Sequence, residues 1–291
     1  MSVTEPKPEE PSVVAVDVKK EDEEPQNELT KKFTDAEWKA VKELRPQLPS
    51  VFEKAYPDTH PAPSSITLWG IELSPTAPSA KASVILAKFL RARTLVVGDA
   101  ADMLVATLKW RAEVDVDAIM QEEFDQDVFG RLGKVYGKDK DGRPVAWNLY
   151  GEVKDMKAVF GDMQKFIRWR VQFMEQSIAF LDFETIDQMV QIHDYEGVSL
   201  TQRDAAQKAA AKEATTIFQN HYPEFLSRKF FINVPTLLTW VFWLFKPLLS
   251  AATLAKMSVV GTGAKTIGAE LSQVIDVKEL PKKYGGEAED F

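Results

Sequence analysis

The residues from Val234 to Phe245, VPTLLTWVFWLF, form the most apolar run in the chain and stop at Lys246-Pro247. The run is 12 residues long. A helix needs roughly 20 residues to cross a hydrocarbon core, so this one is expected to lie against a cavity or a membrane surface rather than span the bilayer. Pro235 suits the first helical position, where no backbone N–H is needed. A segment apolar on all sides requires an apolar neighbour. The chain can supply one: 45% of its 291 residues are hydrophobic and 27% charged, the balance of a globular protein.

Whole classes of chemistry are set aside by composition. There is no cysteine, so disulfides, thiolate zinc sites and cysteine nucleophiles are excluded. The histidines are His60, His193 and His221, none at the i, i+4 spacing of a helical zinc motif. The net charge of −8 sits mostly in residues 1–30, where nine acids and three bases give −6. The remainder has no basic domain for nucleic acid. Residues 1–30 also hold four prolines and are expected to be a disordered acidic tail. No basic n-region precedes the Val13–Val18 patch, so no secretory signal is read and a cytoplasmic protein is expected. Gly261-x-Gly263 lacks a dinucleotide or phosphate-loop context. Ser199 and Ser258 have no triad partners, and Glu122-Glu123 reads as helix surface. The expectation is a protein that is not an enzyme.

Hydrophobic periodicity then divides the chain. A helix follows Thr34, read as an N-cap without a reciprocal partner, and ends at Pro46 and Pro49. Residues 56–65 are a proline-rich connector, and helices are expected over 80–93 and 98–112. The texture changes at Gly133, where KVYG and VAWNLYG flank a DGRP turn as a hairpin. Residues 156–183 read as one long helix. QMVQIHDYEG reads as a strand with Met189, Gln191, His193 and Tyr195 on one face, followed by a helix over 203–220, strand KFFINV, strand KMSVVG and helix TIGAELSQVID. Strands alternating with helices predict a mixed, mainly parallel sheet. The domains expected are thus the tail of 1–30, a helical N-terminal lobe over 31–125 and an α/β domain over 126–291.

FLRAR (89–93), TLKWR (107–111), DGRPV (141–145), YPE (222–224), INVP (232–235), FKPLL (245–249) and LPKKYGG (280–286) occur in the order found in the CRAL-TRIO lipid-transfer family, which this chain resembles. The resemblance implies the CRAL-TRIO α/β fold: a helical N-terminal lobe, then a sheet flanked by helices that encloses an apolar pocket, with the segment after INVP as a mobile gate. It also implies a phosphatidylinositol head-group site at Glu224, Thr253 and Lys256. A lysine and a hydroxyl suit a phosphate, and a carboxylate accepts hydrogen bonds from inositol hydroxyls. Arg91 or Arg93 would add charge. Taken alone, Thr253 would be a turn cap and Lys256 a surface lysine.

The central strand departs from the usual family pattern in reading His193-Asp194-Tyr195-Glu196-Gly197. By spacing, His193 and Tyr195 are a polar pair on one sheet face, readable as hydrogen-bonded core residues or as a metal site. The chain is also similar to the fungal non-classical phosphatidylinositol-transfer subfamily that binds haem b. That similarity implies Tyr195 as the iron ligand, His193 as its support, and Tyr150, Arg168 and Lys229 as further haem contacts, the two cations suiting propionates. The expected partners are phosphatidylinositol and a membrane surface touched peripherally, at the endoplasmic reticulum or microsomes, with a role in phosphoinositide homeostasis or oxidant response. The alternatives are a dedicated haem-binding protein and a lipid-regulated scaffold.

Overall fold

The computed structural model of the chain describes residues 24–152, 156–198, 205–234 and 251–291. The N-terminal lobe is built from α1 (Asp35–Leu44), α2 (Leu48–Ala55), α3 (Ala80–Ala92), α4 (Val97–Glu113) and α5 (Val116–Gln121), and a single turn, α6 (Gln126–Phe129), leads from it toward the sheet. Thr34 caps α1 in a full capping box, its hydroxyl accepting from Glu37 N while Glu37 accepts from Thr34 N. The reciprocal partner missed in the sequence is therefore Glu37, three residues on. Ser79 caps α3, which buries Val84, Ile85, Leu86, Phe89 and Leu90 and so lies at the centre of the lobe. A two-residue turn at Trp69-Gly70, with φ of 51° and 76°, joins β1 (Ile66–Leu68) to β2 (Ile71–Leu73).

The C-terminal half is a five-stranded sheet in the order β3 (Gly133–Lys138), β4 (Pro144–Leu149), β5 (Met189–Asp194), β6 (Leu226–Ile232), β7 (Met257–Val259). β3 and β4 form the expected antiparallel hairpin. β4, β5, β6 and β7 run parallel. Period-two alternation divides the two faces. Val145, Trp147, Leu149, Val190, Ile192, Phe230 and Ile232 enter one core with Ile267, Leu271 and Tyr284 from the C-terminal part of the chain. Ala146 and Met189 face the other core, with the helix α8 (Met163–Ile178) and with α9 (Ala205–His221). The fold class expected from the sequence is the one observed.

Two local expectations change, and a third falls on residues that are not described. The long helix over 156–183 is broken into α7 (Met156–Phe160) and α8, because Asp162 leaves helical geometry and its side chain accepts from Lys165 N as a fresh N-cap. The tail does not extend to residue 30. Glu24 makes a two-armed ion pair with Arg45, and Asn27 accepts from Leu29 N and Thr30 N while donating to the Phe183 carbonyl. The proposed gate, Thr236–Phe245, lies outside the described residues, as do residues 1–23. Among the described residues no helix is long and apolar enough to cross a membrane.

Candidate functional site

Parallel strands bring matching residues side by side at one level of the sheet. Asn148 on β4 pairs with His193 on β5, and His193 with Phe231 on β6. All three lie on the face opposite the Trp147 core. Tyr195 follows β5, its backbone N–H donating to the Ile232 carbonyl, and Tyr150 follows β4. The resulting cluster occupies the carboxyl ends of parallel strands, where open α/β sheets place ligands. The Tyr150 hydroxyl is 3.3 Å from His193 Nδ1. The Tyr150 and Tyr195 rings are 5.3 Å apart, and Phe231 lies 5.5 Å from His193 and 6.4 Å from Tyr195.

Two cations serve this cluster. Arg170, buried on α8, donates to the Asn148 side-chain carbonyl, and the Asn148 amide in turn contacts His193 Nε2 at 3.5 Å. Lys229 lies on β6, two residues before Phe231, with Nζ 5.3 Å from that ring. Burial, with Lys229 and Arg170 nearby, holds His193 well below its ordinary range, so the imidazole is neutral. Burial, helped by Tyr150 and opposed by Arg170, pushes the Tyr195 phenol above its ordinary range. Burial and Arg170 lower Lys229 to about 7.

The far ends of the strands are fixed from the other face. Asp194 accepts from Tyr284 Oη at 2.5 Å, from Asn233 Nδ2 at 2.8 Å and from Glu196 N at 2.9 Å, while Tyr284 stacks on Trp147 at 4.7 Å. Gly151 permits the closest approach: a Cβ there would meet the Glu196 carbonyl oxygen at 1.3 Å. Only glycine lets the loop bearing Tyr150 lie on the loop bearing Tyr195. A cavity of about 270 Å³, lined by Tyr195, Asn233, Gly263 and Lys283 among others, opens beside this junction.

A second polar set lies at the other end of the same strands. Lys256 Nζ is 3.0 Å from Glu224 Oε2, and Thr253, in the short helix α10 (Ala251–Ala255), accepts from Lys256 N through its carbonyl. Eight positions along a strand separate the level of Glu224 from that of Tyr195, about 25 Å at roughly 3.3 Å per residue. Glu224 is held at a positive φ of 56° by bonds to its own carbonyl, from Lys88 Nζ at 3.0 Å and Gln188 Nε2 at 3.2 Å. Lys88, fully buried on α3, also bonds the Asp187 carbonyl at 2.6 Å and carboxylate at 2.9 Å.

Residues 130–286 match the CRAL/TRIO domain, more than half of the chain. The chain belongs to the CRAL/TRIO family. A protein of Sclerotinia sclerotiorum named phosphatidylinositol transfer protein sfh5 is 39% identical over 239 residues, 77% of this chain and 57% of that protein. Its namesake in Cryptococcus neoformans is 37% identical over 266 residues, 84% of this chain and 86% of that one. The crystal structure of Sfh5 superposes with a TM-score of 0.74 at 28% identity, covering 89% of each chain. The Sclerotinia and Botryotinia fuckeliana relatives are longer, and the chain spans 57% and 52% of them.

Within this CRAL/TRIO protein several motif residues serve the scaffold. Arg111 of TLKWR donates to both Glu175 oxygens, at 2.5 and 3.2 Å. Tyr222 of the YPE motif and Trp69 donate to the same carboxylate at 2.7 and 3.3 Å. His221 stacks on Trp110 at 4.4 Å. These contacts join the N-terminal lobe to α8 and α9. Arg91 binds Glu37, and Arg93 bonds the neighbouring Ala92 carbonyl, so neither is placed with Glu224. The sequence-based set at the carboxyl end comes together as Tyr150, His193, Tyr195 and Lys229, with one exception. Arg168 points elsewhere on α8, to Glu122 at 2.6 Å and the Val114 carbonyl at 3.2 Å. Two helical residues turn the side chain by roughly 200°, so Arg170 faces the cluster in its stead. Arg170 and Asn148 were missed. Both had a signal: Arg170 falls in phase with the buried Phe166, Phe173 and Met174 of α8, and Asn148 in phase with Ala146 and Tyr150. Among the described residues no group of three or more His, Asp or Glu side chains is arranged to hold a metal ion.

Proposed function

We propose that this chain binds and transfers phosphatidylinositol, holding the head group at Glu224, Thr253 and Lys256 and the acyl chains along the β5–β6 face toward Phe231. The observation that carries the reading is the Lys256–Glu224 pair at 3.0 Å, which sets a phosphate-binding cation beside a hydroxyl-binding carboxylate in a fold whose relatives are named for that lipid. Acyl burial supplies affinity at roughly 25 cal/mol per Å2, and the paired charges supply selectivity. The protein acts as a carrier rather than a catalyst. It meets membranes peripherally at the endoplasmic reticulum or microsomes from the cytoplasm. The double substitution Thr253→Asp, Lys256→Ala is expected to abolish phosphatidylinositol transfer between vesicles while thermal stability is retained. Unchanged transfer overturns the reading.

A second use of the same face is favoured by the cluster at its carboxyl end: haem b, with Tyr195 as the iron ligand. The residues suit such a group. A phenol stands among the rings of Tyr150, His193 and Phe231, with Arg170 and Lys229 as the cations for acidic substituents. Bound haem would supply ferric iron, whose charge favours the ionised phenol that burial alone disfavours. Neutral His193, hydrogen-bonded through Tyr150, would orient that ring rather than compete as a cation. A link to phosphoinositide homeostasis or to oxidant response follows from joining the two ligands in one protein. Protein expressed with ample haem is expected to be coloured and Tyr195→Phe to lose or shift the absorbance bands; a colourless wild-type preparation overturns this use.

A further inference from the structure

Lys229 occupies the middle of β6, between Gln191 of β5 and Met257 of β7, on the face that carries His193 and Phe231. Among the described residues Lys88 and Lys256 each hold a carboxylate, whereas Lys229 holds none, and its Nζ lies 5.3 Å from the Phe231 ring. The charged and titratable groups that face it are Arg170 from α8, a permanent cation, and His193 from β5, which is neutral. A lysine set in an apolar environment beside a second cation is a site where the amine, rather than the ammonium, is favoured, and the free amine is a nucleophile toward carbonyl carbon.

We propose that Lys229 is a reversible covalent capture site for long-chain aldehydes lying on the β5–β6 face. The amine nitrogen adds to the aldehyde carbon to give a carbinolamine. Both N–H hydrogens then leave with the carbonyl oxygen as one water, and a C=N bond remains. No oxidant or reductant is needed, and the reverse addition of water releases the aldehyde. The tail of the ligand occupies the apolar surface that Phe231 and Met257 share, where an acyl chain lies in the carrier reading above, so the inference rests on that reading. Burial and Arg170 bring Lys229 to about 7, so about half of it is free amine near neutral pH. An ordinary lysine, near 10.4, holds roughly one part in 2,500 as free amine there. Lower basicity takes back part of this advantage, leaving an expected enrichment of roughly tenfold or more over exposed lysines.

The test uses the full chain purified without ligand, mixed with hexadecanal near neutral pH, reduced with sodium cyanoborohydride and mapped by peptide mass spectrometry. The expected result is a reduced adduct concentrated on Lys229 and absent from Lys229→Arg, with exposed Lys31 and Lys81 labelled only as the pH rises. In a parallel arm, wild-type protein is titrated with hexadecanol, which fills the same apolar surface and forms no imine. Hexadecanol binding without an adduct on Lys229, or labelling spread evenly over surface lysines, overturns the capture site alone. Absence of hexadecanol binding overturns the apolar ligand face and the capture site with it.

Discussion

Replacing Lys229 with Met should stabilise the ligand-free protein, and by more in acid than in alkali. Burial and the neighbouring Arg170 take the lysine from 10.5 down to about 7. At about 1.36 kcal/mol per pKa unit, carrying its charge costs the folded state up to about 5 kcal/mol. The folded pKa lies below the unfolded one, so the cost is present in full below the folded value. It is relieved as pH rises from about 7 to about 10.5, where the unfolded chain binds more protons than the native one. Between about pH 6 and about pH 9 roughly 3 kcal/mol of that cost disappears, and relaxation at a partly covered site reduces it to about 1–3 kcal/mol. His193, the other titrating neighbour, stays neutral throughout. Methionine fills the volume of the aliphatic stem without the charge. Urea unfolding of both proteins at the two pH values measures the difference directly. If the gain from Lys229→Met is the same at both, the lysine is not a charge held at a cost, and its reading as a perturbed amine fails.

Arg111→Met removes the cation from a carboxylate, Glu175, that is almost wholly covered. Breaking a buried pair from one side costs about 3–5 kcal/mol, so calorimetry should show a melting point lower by about 6–15 °C for a chain of this size. Tyr284→Phe keeps the stacking on Trp147 but removes the 2.5 Å bond to Asp194. A hydrogen bond to a charged group contributes about 1.5–3 kcal/mol, and a loss of that size should appear in denaturant unfolding; an unchanged midpoint would mean that Asp194 is held by Asn233 and Glu196 alone.

The alternation in QMVQIHDYEG was enough to place His193 on one face and Asp194 on the other, because a strand's period of two leaves no other arrangement. Tyr150 and Lys229 came from the resemblance rather than from alternation, and the strands beside β5 bring both to the face of His193. The resemblance also gave Arg168, whereas Arg170 faces the cluster: both are arginines in one aromatic-rich stretch, and only the helical phase, with Phe166, Arg170 and Phe173 on the covered side, separates them. The break between α7 and α8 was hidden because the apolar spacing continues across Gly161-Asp162, while the new cap depends on the Asp162 side chain. The Lys88 contacts with Asp187 and Glu224, spanning 99 and 136 residues, could not be read at all. In the sequence Lys88 is one lysine in an amphipathic helix, and its partners are two backbone carbonyls, which every residue possesses, and one carboxylate among many.

The bond from Tyr284 to Asp194 closes a loop of 90 residues. A chain emerging from the ribosome at roughly 5–20 residues per second therefore has every strand of the sheet available before the carboxylate at the tip of β5 can meet its phenol. Until residue 284 is free, Asp194 has only Asn233 and the Glu196 amide to accept from, and the turn that carries Tyr195 is held on one side. The wall beyond the tip of β5 is thus closed by a segment made only after every strand of the sheet has been laid.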